Sequence, residues 1–310
     1  MNVGITGATG FLGTYLINYL NKNNNYNIYG LTRNSVNLNK NGKNINWIIG
    51  NLSSSYDCLE FIKKVDVIIH LAHTNTPLTS DNDIISDVEL NLIPTVTLLE
   101  TIKKYGKKIH LIYSSSGGAI YGHSENKIPF KETDLCIPSS SYAIQKLAAE
   151  NYIRLCSEKD IITSTIFRIS NPYGILLPSE RKQSLIGVVL SKLAKNKTVQ
   201  VYGDVSNTRD YIHLDDMIRA FEKAILIKND FEVYNIGSGI GYSVNAIFSL
   251  IEKFTLSEIK KEFIELDERN NLLNWSVLDA AKAYEKLNWK PEISFESGLK
   301  ELCKEVFINK

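Results

Sequence analysis

The chain has 310 residues, of which 44% are hydrophobic and 22% are charged, and its formal net charge is +1. This length and composition indicate a globular protein with a buried core, in one large domain or two smaller ones. The balanced charge argues against nucleic acid or an anionic membrane surface as a partner.

The cysteines and the N-terminal residues indicate in which cellular compartment the protein functions. The four cysteines are far apart in the sequence and have no metal-ligand spacing, so we expect reduced thiols and no bound metal; they are Cys58, Cys136, Cys156 and Cys303. No basic start is followed by an apolar stretch, and no apolar run approaches the roughly 18 residues that span a bilayer. The sequence therefore predicts a cytoplasmic protein that does not enter the membrane.

Short apolar runs alternate with amphipathic stretches over the first 170 residues. Helices are predicted to begin near Phe11, Tyr56, Asp83 and Ser141. The predicted strands are the runs NVGIT, NIYGLT, INWIIG, VDVIIHLA, KIHLIYSS and TSTIFRIS. This alternation indicates βαβ units around a parallel sheet. The strand VDVIIHLA is apolar almost throughout, which is typical of a sheet covered on both faces.

The regular alternation of predicted strands and helices changes after Asn171. The stretch NPYGILLPSE is rich in Pro and Gly and is typical of a loop, and it is followed by a predicted helix near 181–195 and a short strand, TVQVYG. We therefore predict an α/β fold with two domains. Residues 1–170 would form a Rossmann-type doubly wound parallel sheet that binds a dinucleotide, and 171–310 a smaller mixed α/β substrate lobe. Whether the chain crosses back between them is left open.

A run of glycines follows the first predicted strand. Gly7, Gly10 and Gly13 stand three residues apart, where the strand passes into a helix. Glycines here permit a tight turn, let the backbone approach a pyrophosphate, and allow the helix to pack closely on the strand. The free N–H groups at the start of the helix then favour phosphate. The spacing is GxxGxxG rather than GxGxxG, but its place between strand and helix predicts dinucleotide binding.

The end of the second predicted strand bears on which dinucleotide binds. An acidic residue there accepts a hydrogen bond from the ribose of NAD, whereas an arginine suits the 2′-phosphate of NADP. This chain has Arg33 and no acid in the stretch YGLTRNS. We therefore favour NADP(H), with NAD(H) as the alternative.

Tyr142 and Lys146 are four residues apart on a predicted helix, so they share one face. A nearby ammonium and the positive charge of a nicotinamide both favour the phenolate, so we expect Lys146 and the cofactor together to lower the pKa of Tyr142. The pair could then exchange a proton with an alcohol or sugar oxygen while hydride moves to or from a nicotinamide.

These motifs resemble the extended short-chain dehydrogenase/reductases, in particular the nucleotide-sugar epimerases, dehydratases and reductases, and the resemblance covers nearly the whole chain. It rests on TGATGFLG, HLAH, IGNLSS, YAIQK, RISNPYG, VYGDVSNTRDYIHLDD and YNIGSGIGYSVNAI. The cofactor contacts that it implies are Gly7, Thr9, Gly10, Phe11, Leu12, Gly13, Arg33, Asn51, Leu52, Leu71, Ala72, His73, Asn91, Ser114, Tyr142, Lys146 and Pro172. The implied substrate contacts are Gly117, Asn171, Tyr202, Arg209 and Arg269, of which the two arginines would face the diphosphate.

The chain departs from the resembled pattern at the hydroxyl that contacts the reacting sugar oxygen. Members usually have Ser or Thr four residues before the Tyr-Gly that ends this segment, and here that position, counted from Tyr121, is Gly117. We expect Ser116 or Ser115 to take this role beside Tyr142 and Lys146. Dehydratases of the family carry an Asp-Glu pair next, where this chain has Gly118 and Ala119, so dehydration is disfavoured.

Two reactions at C4 of a nucleotide-diphospho-sugar remain. The favoured one is reduction of a 4-keto-6-deoxyhexose by NADPH, and the alternative is 4-epimerisation of the UDP-glucose/UDP-galactose type. A non-catalytic nucleotide sensor is a more distant alternative, disfavoured because both Tyr142 and Lys146 are present. The resemblance also implies a homodimer, formed through a helix bundle from 83–104 and 141–159.

Overall fold

A computed structural model describes residues 1–22, 25–34, 45–75, 79–124, 126–176, 185–227, 229–264 and 274–308. The strands are β1 Asn2–Thr6, β2 Asn27–Thr32, β3 Ile45–Ile49, β4 Val67–His70, β5 Ile109–Ser116, β6 Ile162–Ile169, β7 Asn171–Tyr173, β8 Val199–Tyr202, β9 Thr208–His213, β10 Phe231–Ile236, β11 Gly241–Ser243, β12 Lys261–Ile264 and β13 Trp275–Ser276. The α-helices are α1 Phe11–Lys22, α2 Ser55–Ile62, α3 Ile84–Asp87, α4 Ile93–Tyr105, α5 Gly117–Ile120, α6 Ser141–Glu158, α7 Leu185–Ala194, α8 Leu214–Leu226, α9 Val244–Thr255, α10 Ala281–Leu287 and α11 Phe295–Ile308.

A seven-stranded sheet has the order β10-β6-β5-β4-β1-β2-β3. Strands β1 to β5 pair in parallel, and the direction in which successive strands are added reverses between β1 and β4. The predicted α/β class with a Rossmann-type sheet is confirmed. In such sheets ligands bind outside the carboxyl ends of the strands at this reversal, so the segments that follow β1 and β4 are where a site is expected.

The centre of this sheet is covered on both faces. All four residues of β4 are buried, as are the first seven residues of β5. Against these strands pack apolar side chains of α2 and α4, among them Phe61, Leu98 and Ile102, all almost fully buried. The nearly continuous apolar character of these strands is explained by this double burial.

By its contacts, the chain forms two compact units, each assembled from three stretches of sequence. The first unit consists of Met1–Ile120, Pro138–Arg168 and Ile218–Tyr234, and it contains β1 to β6. The second consists of Tyr121–Ile137, Ile169–Met217 and Asn235–Lys310.

The second unit has its own small sheets and its own core. Strand β9 pairs with β7 and β13 in parallel and with β11 in antiparallel orientation, and β8 pairs with β12. Buried side chains of α7, α9 and α11, such as Val189, Phe248 and Leu299, pack together beneath them. Among the described residues, no helix is both long and apolar enough to cross a bilayer.

Candidate active site

The turn between β1 and α1 requires glycine. Gly7 has a φ of +66°, and its carbonyl accepts a hydrogen bond of 2.9 Å from the N–H of Gly10. A Cβ on Gly7 would lie 2.8 Å from the nitrogen of Ala72, which follows β4, and a Cβ on Gly13 would lie 2.3 Å from the oxygen of Gly7. Gly7 therefore lets the turn lie against the segment after β4 at the reversal of strand order, and Gly13 lets α1 lie against the turn.

This turn fits the pyrophosphate of a dinucleotide. The first turn of α1 contains no acidic residue, so the positive end of the helix dipole is not neutralised there. Gly7 and Gly10 lack the side chains that would fill the space in front of the helix, and of the neighbouring predicted contacts Thr9 is exposed while Phe11 and Leu12 are half-buried. Backbone N–H groups in such a turn are suited to an anion.

The carboxyl ends of β2 and β3 carry two further predicted cofactor contacts. Arg33 directly follows β2 and is exposed. Asn51 follows β3, where its N–H donates to Asp57 over 2.8 Å and its side-chain oxygen accepts from Ser53. The next residue, Leu52, is buried. These residues lie on the β2 side of the strand reversal.

The helix α6 begins beside the predicted catalytic pair. Ser140 caps its N-terminus by accepting from the N–H of Ala143. Tyr142 and Lys146 then fall on one face, as predicted, and the Nζ of Lys146 lies 5.8 Å from the centroid of the Tyr142 ring. Lys146 itself is only 4% exposed, and its Nζ donates to the carbonyl oxygen of Ser114 over 2.8 Å.

Burial controls the protonation of this pair. It lowers the pKa of Lys146 to about 7, opposed by the carboxylate of Glu150 one turn later on α6. Burial also raises the pKa of Tyr142, opposed by the nearby hydroxyl of Ser116. The predicted lowering of this pKa by Lys146 together with a positively charged nicotinamide concerns the cofactor-bound protein and stays a prediction.

Three consecutive serines at the end of β5 contact three different groups of α6. The carbonyl of Ser114 accepts from Lys146, the hydroxyl of Ser115 donates to the carboxylate of Glu150, and the hydroxyl of Ser116 lies close enough to Tyr142 to oppose the rise in its pKa. Since α5 begins at Gly117, Ser116 is the last residue of the strand. Of the two serines considered for the missing hydroxyl, the structure brings Ser116 to the phenol.

The segment that follows β4 lies against the same tyrosine. The His73 and Tyr142 rings meet edge to face, with centroids 4.9 Å apart. Burial lowers the pKa of His73 to about 2, so its ring is neutral, and its Nε2 is buried without a hydrogen-bond partner among the described residues. Leu71 and Ala72 of this segment are tied to β1, since both of their N–H groups donate to Thr6.

Asn91 supports the same segment from the α3–α4 region. It lies in a π-helical turn, Val88–Leu92, and its side-chain oxygen accepts from the N–H of Thr74 over 2.6 Å. Its side-chain amide donates to the carbonyl and the carboxylate of Asp87. Asn91 is thus linked through the backbone of Thr74 to His73 and to the tyrosine.

The remaining predicted residues belong to the second unit. Asn171 and Pro172 lie on β7, where the Asn171 side chain donates to the carbonyl of Asp210 over 2.9 Å. Arg209 is half-buried on β9, and Tyr202 is exposed at the end of β8. Arg269 lies outside the described residues. A cavity of about 360 Å³ in this unit, walled by Trp289 and Tyr284 among others, contains none of the predicted site residues.

Three buried charged residues of the first unit were missed by sequence reasoning. Arg168 on β6 forms an ion pair of 2.8 Å with Glu150, and both are less than a tenth exposed. Glu150 lies four residues after Lys146, and Asp87 four before Asn91, so helical spacing was an available signal for both. The contact between Arg168 and α6 is long-range and left no local signal.

Comparison with known proteins adds an independent line of evidence. Residues 3–237 match the model of the NAD dependent epimerase/dehydratase family. A putative UDP-glucose 4-epimerase of Methanocaldococcus jannaschii is 32% identical over 304 residues, which is 96% of each chain. A dTDP-4-dehydro-6-deoxyglucose reductase of Escherichia coli is 31% identical over 243 residues, covering 78% of this chain and 75% of the relative. The crystal structure of a UDP-glucose 4-epimerase of Thermotoga maritima with UDP-glucose superposes with a TM-score of 0.89 at 30% identity, covering 100% of this chain and 99% of that one.

Proposed function

We propose that this chain, which belongs to the NAD-dependent epimerase/dehydratase family, reduces the 4-keto group of a nucleotide-diphospho-6-deoxyhexose with NADPH. The observation that carries this proposal is the phenol of Tyr142, whose pKa is raised by burial and which has the hydroxyl of Ser116 beside it. A protonated phenol is the form that a reductase needs, because the oxygen at C4 gains a proton in that direction.

Each group of residues in the first unit has a separate role in the proposed reaction. The glycine turn and the N-terminus of α1 hold the pyrophosphate. Lys146 donates one hydrogen bond to the carbonyl of Ser114, and its other N–H groups donate to the ribose. When bound, the nicotinamide supplies the hydride. Tyr142 gives its phenolic proton to the C4 oxygen, and the hydroxyl of Ser116 turns its single hydrogen toward that oxygen, which stabilises the developing negative charge.

The second unit is proposed to bind the nucleotide sugar. Arg209 would pair with the diphosphate, and Arg269 would be its partner. Arg209 loses hydration by burial, which lowers its pKa, and a desolvated guanidinium pairs more strongly with phosphate than a solvated one. We assign Asn171 and Tyr202 to the same ligand, and Pro172 to the carboxamide side of the cofactor.

The assay for the proposal is a loss of absorbance at 340 nm with NADPH and dTDP-4-keto-6-deoxyglucose. Tyr142→Phe is expected to abolish turnover and to leave NADPH binding, measured by fluorescence titration, within about threefold of the wild type, because only the proton donor is removed. Equal loss of binding and turnover would contradict the assigned role of Tyr142. No oxidation of NADPH with any 4-keto-6-deoxyhexose would contradict the reductase.

The choice of NADPH rests on Arg33. Arg33 is exposed directly after β2, and neither neighbour, Thr32 or Asn34, is acidic, which supports a 2′-phosphate at this position. Arg33→Ala is expected to raise the KM for NADPH by about 10- to 100-fold, the value of a charge-assisted hydrogen bond, and to leave the KM for NADH within twofold. A parallel loss for both cofactors would remove the argument for NADPH.

A 4-epimerase is the second candidate, favoured by the names of the relatives from M. jannaschii and T. maritima. Its signature would be interconversion of UDP-glucose and UDP-galactose without net consumption of a nicotinamide cofactor. NAD that copurifies with the protein would favour this reaction, whereas a free site that accepts NADPH would favour reduction.

A homodimer is proposed from the apolar surface of the first unit. Ile93 on α4 is 47% exposed, and Ile144 and Tyr152 on α6 are 55% and 45% exposed. Exposed apolar side chains grouped on neighbouring helices mark an interaction surface. The four free cysteines suit a reducing compartment, so we propose that the enzyme works in the cytoplasm.

A further inference from the structure

Asp87, the last residue of α3, is a fully buried carboxylate at the centre of a hydrogen-bond network. One carboxylate oxygen accepts from the side-chain amides of Asn75 and Asn91 over 2.8 and 2.7 Å. The other accepts from the hydroxyl of Ser141 over 2.7 Å and from the side-chain amide of Gln145. All four of these donors are neutral.

The four donors belong to parts of the chain that meet at Tyr142. Asn75 lies in the segment after β4, and Asn91 holds the same segment through the N–H of Thr74. Ser141 and Gln145 lie in the first turns of α6, on either side of Tyr142 in the sequence. The carboxylate therefore joins the segment that carries His73 to the helix that carries the tyrosine.

Burying a carboxylate that has only neutral hydrogen-bond partners costs free energy, so packing alone does not account for Asp87. Removal from water penalises the charge, and without a cation only hydrogen bonds offset that penalty. In exchange, a carboxylate offers enough lone pairs for four donors at once, which an amide or a hydroxyl does not. Such an arrangement fixes the relative position of the elements that donate to it.

We propose that Asp87 is a positioning residue that fixes the position of Tyr142 relative to His73 for proton transfer. Its effect on turnover rests on the function proposed above. Through Ser141 and Gln145 it fixes the start of α6, and through Asn75 and Asn91 it fixes the segment after β4. The edge-to-face contact between His73 and Tyr142 is then the result of two elements held by one group.

The network also indicates which substitution is conservative. An asparagine at position 87 keeps an oxygen for Asn75 and Asn91 but turns an NH₂ toward α6. The side-chain oxygen of Gln145 is buried and has no partner among the described residues, so a flip of its amide would accept that NH₂. Asp87→Asn should therefore be tolerated, whereas Asp87→Ala leaves four donors without an acceptor.

The test compares D87A, D87N and a matched control, D83A. Asp83 caps the same helix, α3, by accepting from Ser86, but it is exposed and outside the network. The readout independent of activity is hydrogen exchange of the Thr74 amide, which is protected by Asn91. We expect exchange at Thr74 to be at least tenfold faster in D87A, and within threefold of the wild type in D87N and D83A.

The kinetic readout is the split between kcat and KM. In D87A, kcat for the 4-keto sugar is expected to fall at least tenfold with KM changed by less than threefold, and D87N is expected to restore most of kcat. If D87A does not fold, Gln145→Leu serves instead, since it removes a donor on the α6 side only. It should lower kcat and leave exchange at Thr74 unchanged.

Three results would overturn the proposal: wild-type exchange at Thr74 in D87A, equal acceleration in D83A, or damage in D87N as large as in D87A. Wild-type kcat in Q145L would also count against it. If the wild type turns over no 4-keto sugar, the proposed reaction fails, and the exchange comparison alone decides whether Asp87 holds this network.

Discussion

The hydroxyl of Ser116 lies beside Tyr142 and opposes the rise in its pKa, although glycine occupies the next position, Gly117, where the family resemblance places a hydroxyl. Strand β5 ends at Ser116, and α5 begins at the next residue, so this hydroxyl belongs to the end of the strand and not to the helix. We therefore expect Ser116 to supply the hydrogen bond to the sugar oxygen that is missing at Gly117.

Ser116→Ala is expected to lower kcat for the 4-keto sugar by roughly 10- to 100-fold, because one donor to the developing oxyanion is lost. The fold should not change, since Ser116 is half-buried at a strand end. Ser115→Ala is the matched control. It removes a hydrogen bond to buried Glu150 and should lower the melting temperature more than it lowers kcat. Wild-type kcat in S116A would refute the role of this hydroxyl.

Lys146 should make the stability of the protein depend on pH in the alkaline range. Its pKa is lowered by burial from 10.5 to about 7, so between these values the unfolded chain binds a proton that the folded chain does not. The free energy of unfolding then rises with pH from about 7 to about 10, by at most about 1.4 kcal/mol per pH unit. Lys146→Met is expected to remove this slope, which urea denaturation at several pH values would measure.

The contribution of other groups can be separated from that of Lys146. The buried Tyr113 and the half-buried Tyr142 have raised pKa values, so their ionisation in the unfolded chain lowers stability only near pH 10 and above. Burial also raises the pKa values of Cys58 and Cys303 above 9.0, so their ionisation in the unfolded chain lowers the stability of the wild type and of K146M alike. The comparison is therefore the difference in slope between the two proteins from pH 7 to 9. An unchanged slope in K146M over this range would show that the ammonium is not desolvated as the structure indicates.

Local patterns in the sequence predicted most of the first unit. Strand β2 was predicted to the residue, and helices α1, α2, α3 and α6 begin within one residue of the predicted positions, because alternating burial leaves periodic signals. The glycine turn and the shared face of Tyr142 and Lys146 were likewise predicted from spacing.

Long-range contacts could not be predicted in this way. That Glu150 pairs with Arg168 depends on how α6 lies on β6, and no pattern within either element carries this information. The raised pKa of Tyr142 in the absence of cofactor likewise depends on burial by the whole fold, which no local pattern reveals. Arg269 and its proposed role stay a prediction, because it lies outside the described residues.

The glycine turn predicts a contrast between two substitutions. Gly13→Ala places a Cβ 2.3 Å from the carbonyl oxygen of Gly7, so the turn must open, and we expect loss of NADPH binding by at least tenfold together with a lower melting temperature. Gly106→Ala is the control, because its φ of +76° is strained for alanine but its Cβ would meet nothing within 4 Å. It should cost about 1 kcal/mol of stability and leave cofactor binding intact. Equal binding by both variants would contradict a steric requirement at the turn.

The apolar surface formed by α4 and α6 predicts a dimer that one charge can dissociate. Ile144 is 55% exposed, and Tyr152 and Leu155 follow it along α6 at 45% and 42% exposure. Ile144→Glu would bury an unpaired carboxylate in a helix-bundle interface, which costs more than such an interface gains from one isoleucine. Sedimentation equilibrium at micromolar concentration is expected to give the mass of two chains for the wild type and of one chain for I144E.

The control for this prediction is Tyr56→Glu, which places the same charge on α2 of the same unit. Tyr56 is 70% exposed, so it is at least as accessible as Ile144, yet it lies outside the two helices of the proposed interface. The Y56E variant should therefore remain a dimer. Since the exposure of an apolar side chain alone does not define an interface, dissociation of both variants would point to a general effect of added charge, and a monomeric wild type would remove the helix bundle from the proposal.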